Sequence, residues 1–208
     1  MTKIAVIDYG VGNLRSVVKA FGRMGTEVIL TSSPSELVSC DVIVLPGVGA
    51  FGDGISNLKN LGFVEVLNDE VKKDGKPFFG ICLGMQLLAK SSSEMGNNEG
   101  LGWIDAKIDK FSFSENSLRV PHMGWDEIHP RTGSEIFEGL DDHPSFYFAH
   151  SYHMMCENIL DVSSTCEYGY RFPASVEHKN IFGVQFHPEK SQKNGLKLLR
   201  NFMTVARR

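Results

Sequence analysis

The strongest constraint on this chain is a repeated order in its first half: a short apolar run, a turn, then a helical pattern. Lys3–Asp8 closes at Tyr9 and Gly10, and a helical stretch follows that Asn13 can cap and Gly25 ends. Glu27–Thr31 is the second run, Asp41–Leu45 the third, stopped by Pro46 and Gly47, and Pro77–Ile81 the fourth, leading into Cys82. Between the last two, Phe63, Leu67 and Val71 recur at helical spacing as far as Gly75. Apolar runs this short suit strands covered on both faces. Strand, helix and strand in this order require right-handed crossovers, which build a parallel sheet between two helical layers.

After about Gly100 the pattern changes. Trp103–Phe111, Leu118–His129, Phe146–Ala149, Asp161–Glu167 and Ala174–Phe186 read as strands with short connections, and Ser191–Ala206 reads as a closing helix. Met85–Lys90 reads as a further helix, and the polar stretch Ser91–Gly100 as an exposed loop. The expectation is a three-layer α/β fold over residues 1–208 as one domain: a central, mostly parallel sheet flanked by helices, with antiparallel additions in the second half. In such sheets chemistry gathers at the carboxyl ends of the parallel strands.

One of those ends carries the sharpest local signal. Gly80 and Gly84 flank Cys82 two residues to either side, where an apolar strand runs straight into a helix. This is the nucleophile elbow with cysteine in place of serine. Glycines permit a turn tight enough to strain the central residue and lift its sulfur above the sheet edge. The helix N-terminus there offers N–H groups and a dipole that favour a thiolate, and the Leu83 N–H points toward a forming oxyanion. Alone, the segment also fits a buried cysteine in a glycine-rich turn. A nucleophile needs a base, and the base an orienting acceptor. His187 and Glu189 supply both at the end of the run Ile181–Phe186, two residues apart so that an extended backbone projects them to one side. The loop Gly47, Val48, Gly49 after the third strand can aim N–H groups at an oxyanion; one such donor is worth about 3 kcal/mol.

Composition removes other classes. A net charge of −4 gives no basic face for nucleic acid. No apolar run is long enough for a leader or a membrane span, and four cysteines without CxxC spacing fit the cytoplasm. His122, His150 and His153 do not form a metal motif, so neither metal nor cofactor is expected.

Together these motifs resemble the class I (triad) glutamine amidotransferase family, over essentially the whole chain. The stretches Asp8–Ser16, Val120–Trp125, Phe146–Tyr152 and Phe182–Ser191 are closest to the glutaminase subunits that serve histidine biosynthesis. The resemblance implies that Cys82 attacks the glutamine amide, that His187 moves the proton, and that Glu189 orients it. It implies oxyanion donors at Leu83 and in the Gly47–Gly49 loop, and glutamine contacts from Gln86 and the Ser151–Tyr152 backbone. It also implies a (β/α)₈ cyclase partner, HisF, facing Asn13, Pro121, Met123, Trp125, Tyr147 and Lys190. Asp126 departs from the family's asparagine. Within the family the alternatives are a related subunit that supplies ammonia to amidinate a surface sugar, and an amidotransferase that feeds purine, pyrimidine, aminobenzoate or sugar chemistry. A Cys-elbow hydrolase without an acceptor and a catalytically dead regulatory subunit are the alternatives outside that activity.

Overall fold

Residues that alternate along the first strands enter two separate cores, one on each face of a single sheet. In the computed structural model, which describes residues 1–113 and 118–208, strand β1 (Lys3–Ile7) sends Ile4 and Val6 into one core and Ala5 and Ile7 into the other. The chain continues through α1 (Leu14–Gly22), β2 (Glu27–Thr31), β3 (Val42–Gly47), α2 (Phe51–Asn60) and α3 (Phe63–Leu67), which a π-helical turn prolongs over Asn68–Lys73. β4 (Phe78–Cys82) and the single-turn α4 (Leu83–Gln86) follow. The second half holds β5 (Ser91–Ser92), β6 (Asn98–Glu99), β7 (Ala106–Lys110), β8 (His122–Pro130), β9 (Ser145–His150), β10 (Tyr152–Cys156), β11 (Val162–Tyr168), β12 (Tyr170–His178), β13 (Ile181–Val184) and α5 (Gln192–Val205).

The main sheet has nine strands in the order β2-β1-β3-β4-β13-β12-β11-β8-β9. It is parallel from β2 to β13 and antiparallel beyond. Helices α1 and α5 cover one face with Val17, Phe21, Leu199 and Phe202; α2, α3 and α4 cover the other with Leu58, Phe63, Leu67 and Met85. This is the expected three-layer α/β arrangement. Strands β10, β7, β5 and β6 form a second, smaller sheet.

Several expectations need correction. Asn13 holds the N-cap position of α1, but its side chain makes no capping hydrogen bond. Helix α2 was not expected, because Gly52 and Gly54 weaken its intrinsic propensity. Packing explains both: a β-carbon at Gly54 would stand 3.1 Å from Leu83 Cδ2, and one at Gly52 would stand 3.0 Å from Asn98 Oδ1. Ala174–Phe186 is two strands, broken by a turn at Lys179, whose φ is 55°. The helix read at Met85–Lys90 begins two residues earlier and lasts one turn. Ser91–Gly100 is not a plain exposed loop. It contains β5 and β6, and Glu94 within it accepts a hydrogen bond from the Phe51 N–H at 2.7 Å.

The tightest backbone approach joins α4 to the sheet. A β-carbon on Gly84 would lie 1.8 Å from the Leu45 carbonyl oxygen, and one on Gly80 would lie 2.6 Å from the Gly84 oxygen. Main-chain atoms cannot yield as a flexible side chain can. Gly84→Ala is therefore expected to cost about 3 kcal/mol or more. Urea unfolding measures this, and a midpoint equal to that of the unmodified protein would show that the contact does not constrain the fold.

Candidate active site

The register that pairs Gly47 with Cys82 brings the carboxyl ends of β3 and β4 level. At that edge Cys82 takes φ 55° and ψ −109°, a left-handed conformation foreign to β-carbon residues. Such a backbone costs on the order of 1–3 kcal/mol and persists only where its surroundings enforce it. Gly80 and Gly84 let the strand and the turn close on each other, and that closure leaves Cys82 no other path. Because α4 is one turn long, the dipole contribution expected at its start is small. What remains is the set of first-turn N–H groups without intrahelical partners.

His187 reaches this edge from the end of β13, which pairs in parallel with β4. Its Nδ1 lies 2.9 Å from Glu189 Oε1, so the Nδ1 proton points to the carboxylate and Nε2 is the exchangeable nitrogen. The two meet across a 3₁₀ turn over Pro188–Lys190, not along an extended backbone as the spacing implied. The main chain around His187 is held on both sides. Its N–H donates to the Tyr147 carbonyl at 2.8 Å, and Ser191 Oγ donates to its carbonyl at 2.6 Å.

Both side chains are almost wholly buried, 6% exposed for Cys82 and 3% for His187. Burial alone pushes the imidazole toward neutrality. Hydrogen bonds with Cys82 and Glu189, and the charges of both, outweigh it and raise the His187 pKa to about 9. The buried Glu189 Oε2 has no hydrogen-bond partner among the described residues, so the carboxylate is answered chiefly by the imidazolium. Since the folded value exceeds the unfolded one of about 6.5, the pair's stabilisation is complete below that pH. It is lost as pH rises through about 9.

Beside the sulfur lies a pocket of about 220 Å³. Cofactor and drug sites usually hold about 300–1,000 Å³, so this one suits a smaller molecule. Of the residues anticipated for oxyanion or substrate contacts, Val48, Gly49, Leu83, Gln86, Ser151 and Tyr152 line it. Gly47 lies beneath, within β3. Pro121 and Met123, expected at a partner surface, also border the pocket.

Two further groups escaped the sequence reading. Gln185, fully buried, donates from Nε2 to Cys82 Sγ at 3.7 Å and accepts from Gln86 Nε2 at 3.0 Å. Its signal was a lone amide inside an apolar run. Glu94 also lines the pocket, and nothing in its polar stretch distinguishes it. The Tyr152 carbonyl is occupied by Gln86 Nε2 at 3.0 Å and His150 Nδ1 at 2.7 Å. Any ligand contact from this backbone must use its other polar atoms.

Behind the pocket a histidine chain links strands β8 and β9. His150 gives its Nδ1 proton to Tyr152, so its Nε2 accepts from His122 Nδ1 at 3.0 Å. Burial pushes the His150 pKa down to about 3, which keeps it neutral. His122 Nε2 then faces Asp126 Oδ2 at 2.7 Å, a contact that needs a proton between them. Cys166 lies near enough to make this a group of three possible metal ligands. However, two atoms bound to one tetrahedral zinc stand about 3.3 Å apart, so the 2.7 Å contact is a hydrogen bond.

Next to His187 the surface is aromatic. Trp125, 47% exposed, meets the Tyr147 ring edge-on at 6.2 Å, and Lys190 Nζ stands 5.5 Å above that ring. Met123 is 63% exposed. Asn13 is exposed at the start of α1.

Comparison with known proteins gives a consistent picture. The family model for "Glutamine amidotransferase class-I" matches residues 5–206. The chain is 47% identical over 201 residues to "Imidazole glycerol phosphate synthase subunit HisH" of Sulfurimonas denitrificans, covering 96% of each chain. It is 46% identical over 202 residues to "Imidazole glycerol phosphate synthase subunit HisH 1" of Campylobacter jejuni, covering 97% of this chain and 100% of the relative. Among solved structures, a chain of PurLQS from Thermotoga maritima superposes with a TM-score of 0.76 at 18% identity, covering 98% of both chains, a likeness of fold.

The thiol is among the groups that raise the His187 pKa. In Cys82→Ala the imidazole loses one hydrogen bond and one nearby charge, so it should titrate below its value in the intact protein. Histidine NMR across pH reads this directly; an unmoved midpoint would mean that sulfur and imidazole do not interact.

Proposed function

Because the chain belongs to the class I glutamine amidotransferase family, we propose that it is the glutaminase subunit of an imidazole glycerol phosphate synthase. In this role it works in the cytoplasm and releases ammonia from L-glutamine for a cyclase partner. The observation that carries this reading is the buried Cys82, His187 and Glu189 cluster beside a pocket sized for a small molecule.

The chemistry follows from the positions. In the resting pair the Cys82 proton has passed to His187 Nε2; Sγ then attacks the glutamine amide carbon, and the carbonyl electrons move onto oxygen. N–H groups of Leu83 and of the Gly47–Gly49 loop steady that charge where bulk water does not compete. The His187 imidazolium gives its Nε2 proton to the amide nitrogen, the C–N bond breaks, and ammonia leaves a glutamyl thioester. Neutral His187 then takes a proton from water as it attacks the thioester, and glutamate departs with the thiol restored. Glu189 holds the ring through Nδ1 and supports its charge in both halves. Gln86 and the Ser151–Tyr152 segment bound the site that takes the amino-acid portion.

Ammonia at neutral pH is mostly ammonium, which is no nucleophile, so a site that makes it for synthesis is best sealed against solvent. The aromatic face formed by Trp125 and Tyr147, with Lys190, Met123, Pro121 and Asn13, is the surface we assign to a HisF-type (β/α)₈ cyclase. Tyr147 joins that face to the base, since its carbonyl receives the His187 N–H.

Mixed with a histidine-pathway cyclase, glutamine and the ribulosyl substrate, the chain should yield imidazole glycerol phosphate. Cys82→Ala should remove the glutamine-dependent product while added ammonia still supports synthesis. Lack of product with the intact chain would refute the assignment of acceptor. Trp125→Ala should weaken the complex by roughly thirtyfold, about 2 kcal/mol, as expected of a central aromatic anchor. Calorimetric titration measures the affinity, and equal binding by the variant would move the interface elsewhere.

A further inference from the structure

Tyr9 lies two residues past the end of β1 and is 1% exposed, yet its hydroxyl has no hydrogen-bond partner among the described residues. A β-carbon at Gly47 would stand 2.1 Å from that hydroxyl and 3.0 Å from Leu83 Cβ. The hydroxyl therefore sits directly under the loop that follows β3, beside the residue that follows Cys82. It does not line the substrate pocket. The root of the tyrosine is fixed, because Asn57 Nδ2 of α2 donates to its carbonyl at 3.0 Å.

The loop above it is pinned at both ends. Gly47 is held in register with Cys82, and the Phe51 N–H is held by Glu94 Oε2 at 2.7 Å. Between them Gly49 has φ 105°, a conformation in which a peptide unit can rotate without a β-carbon in the way. In a trans peptide the N–H and C=O point in opposite directions. Turning a loop N–H toward the pocket thus turns the carbonyl of the same unit toward the buried side, where Tyr9 lies. A phenylalanine would fill the same space without leaving a buried donor unpaired.

We propose that Tyr9 is a positioning residue: its hydroxyl donates to a main-chain carbonyl of the Gly47–Gly49 loop when the Val48 or Gly49 N–H is turned toward the oxyanion on the Cys82 adduct. Burial, and secondarily the charge of Cys82, push the phenol pKa up, so the group stays a donor throughout the working pH range. The inference rests on the reading of Cys82 as a glutaminase nucleophile.

Tyr9→Phe tests it, assayed in complex with the cyclase partner. The expected result is a kcat for glutamine hydrolysis about tenfold lower, the value of one hydrogen bond in the transition state, with KM within about twofold. Alkylation of Cys82 by iodoacetamide forms no oxyanion and should keep its rate. The thermal midpoint should hold or rise, because a buried unpaired donor is gone. An unchanged kcat overturns the proposal. An equal fall in kcat and alkylation also overturns it, since Tyr9 would then act on the sulfur. If the unmodified complex fails to hydrolyse glutamine, the nucleophile reading and the latch fall together. If it is active and the variant matches it, only the latch falls.

Discussion

The contact on which the rest depends is main chain against main chain. Gly84 lies against the Leu45 carbonyl, and Gly80 lies beneath Gly84. No side chain fits at either place. That closeness sends the chain from β4 into α4 without room to relax, and Cys82 is left at φ 55°. The strain is held by what surrounds it: β4 lies between β3 and β13 in the middle of the sheet, with apolar cores on both faces. A sulfur placed this way owes its orientation to the central ladder and not to its own rotamer.

Around the elbow, polar groups are buried in a way that would be unfavourable elsewhere. Gln185 lies fully buried at the end of an apolar strand, between Gln86 and the sulfur. Glu189 keeps one oxygen for His187, and the other has no hydrogen-bond partner among the described residues. Burial pushes the imidazole toward neutrality, but Cys82 and this carboxylate together favour a cation between them, so the imidazole holds its proton. On His150 burial prevails, because its neighbours are a carbonyl and a second imidazole and it has no carboxylate of its own. Two histidines in one region are thus set to different charges by what each one touches.

Much of this was legible in the order of residues. Unbroken apolar runs such as Asp41–Leu45 mark strands covered on both sides, and the glycines about Cys82 mark the turn. The pair His187 and Glu189 was found by spacing, though for an imperfect reason: a 3₁₀ turn brings the side chains together, where an extended strand was expected. What escaped was decided by tertiary contacts. Helix α2 contains two glycines because α4 and Asn98 press on it, and local propensity cannot register that pressure. Glu94 lies in a stretch whose composition is that of any exposed loop, and only the fold carries it to the pocket and to Phe51. Tyr9 resembled one more aromatic beside a turn until Gly47 was found against its hydroxyl.

The strands that deliver sulfur and imidazole are immediate neighbours, paired from Phe78 with Ile181 to Ile81 with Val184. Central ladders are the last part of a domain to open, so the distance between these two groups is as durable as the protein itself. Drawing them apart would mean tearing the sheet. Movement beside the two groups therefore falls to segments outside the ladder, such as Val48–Ala50 between β3 and α2.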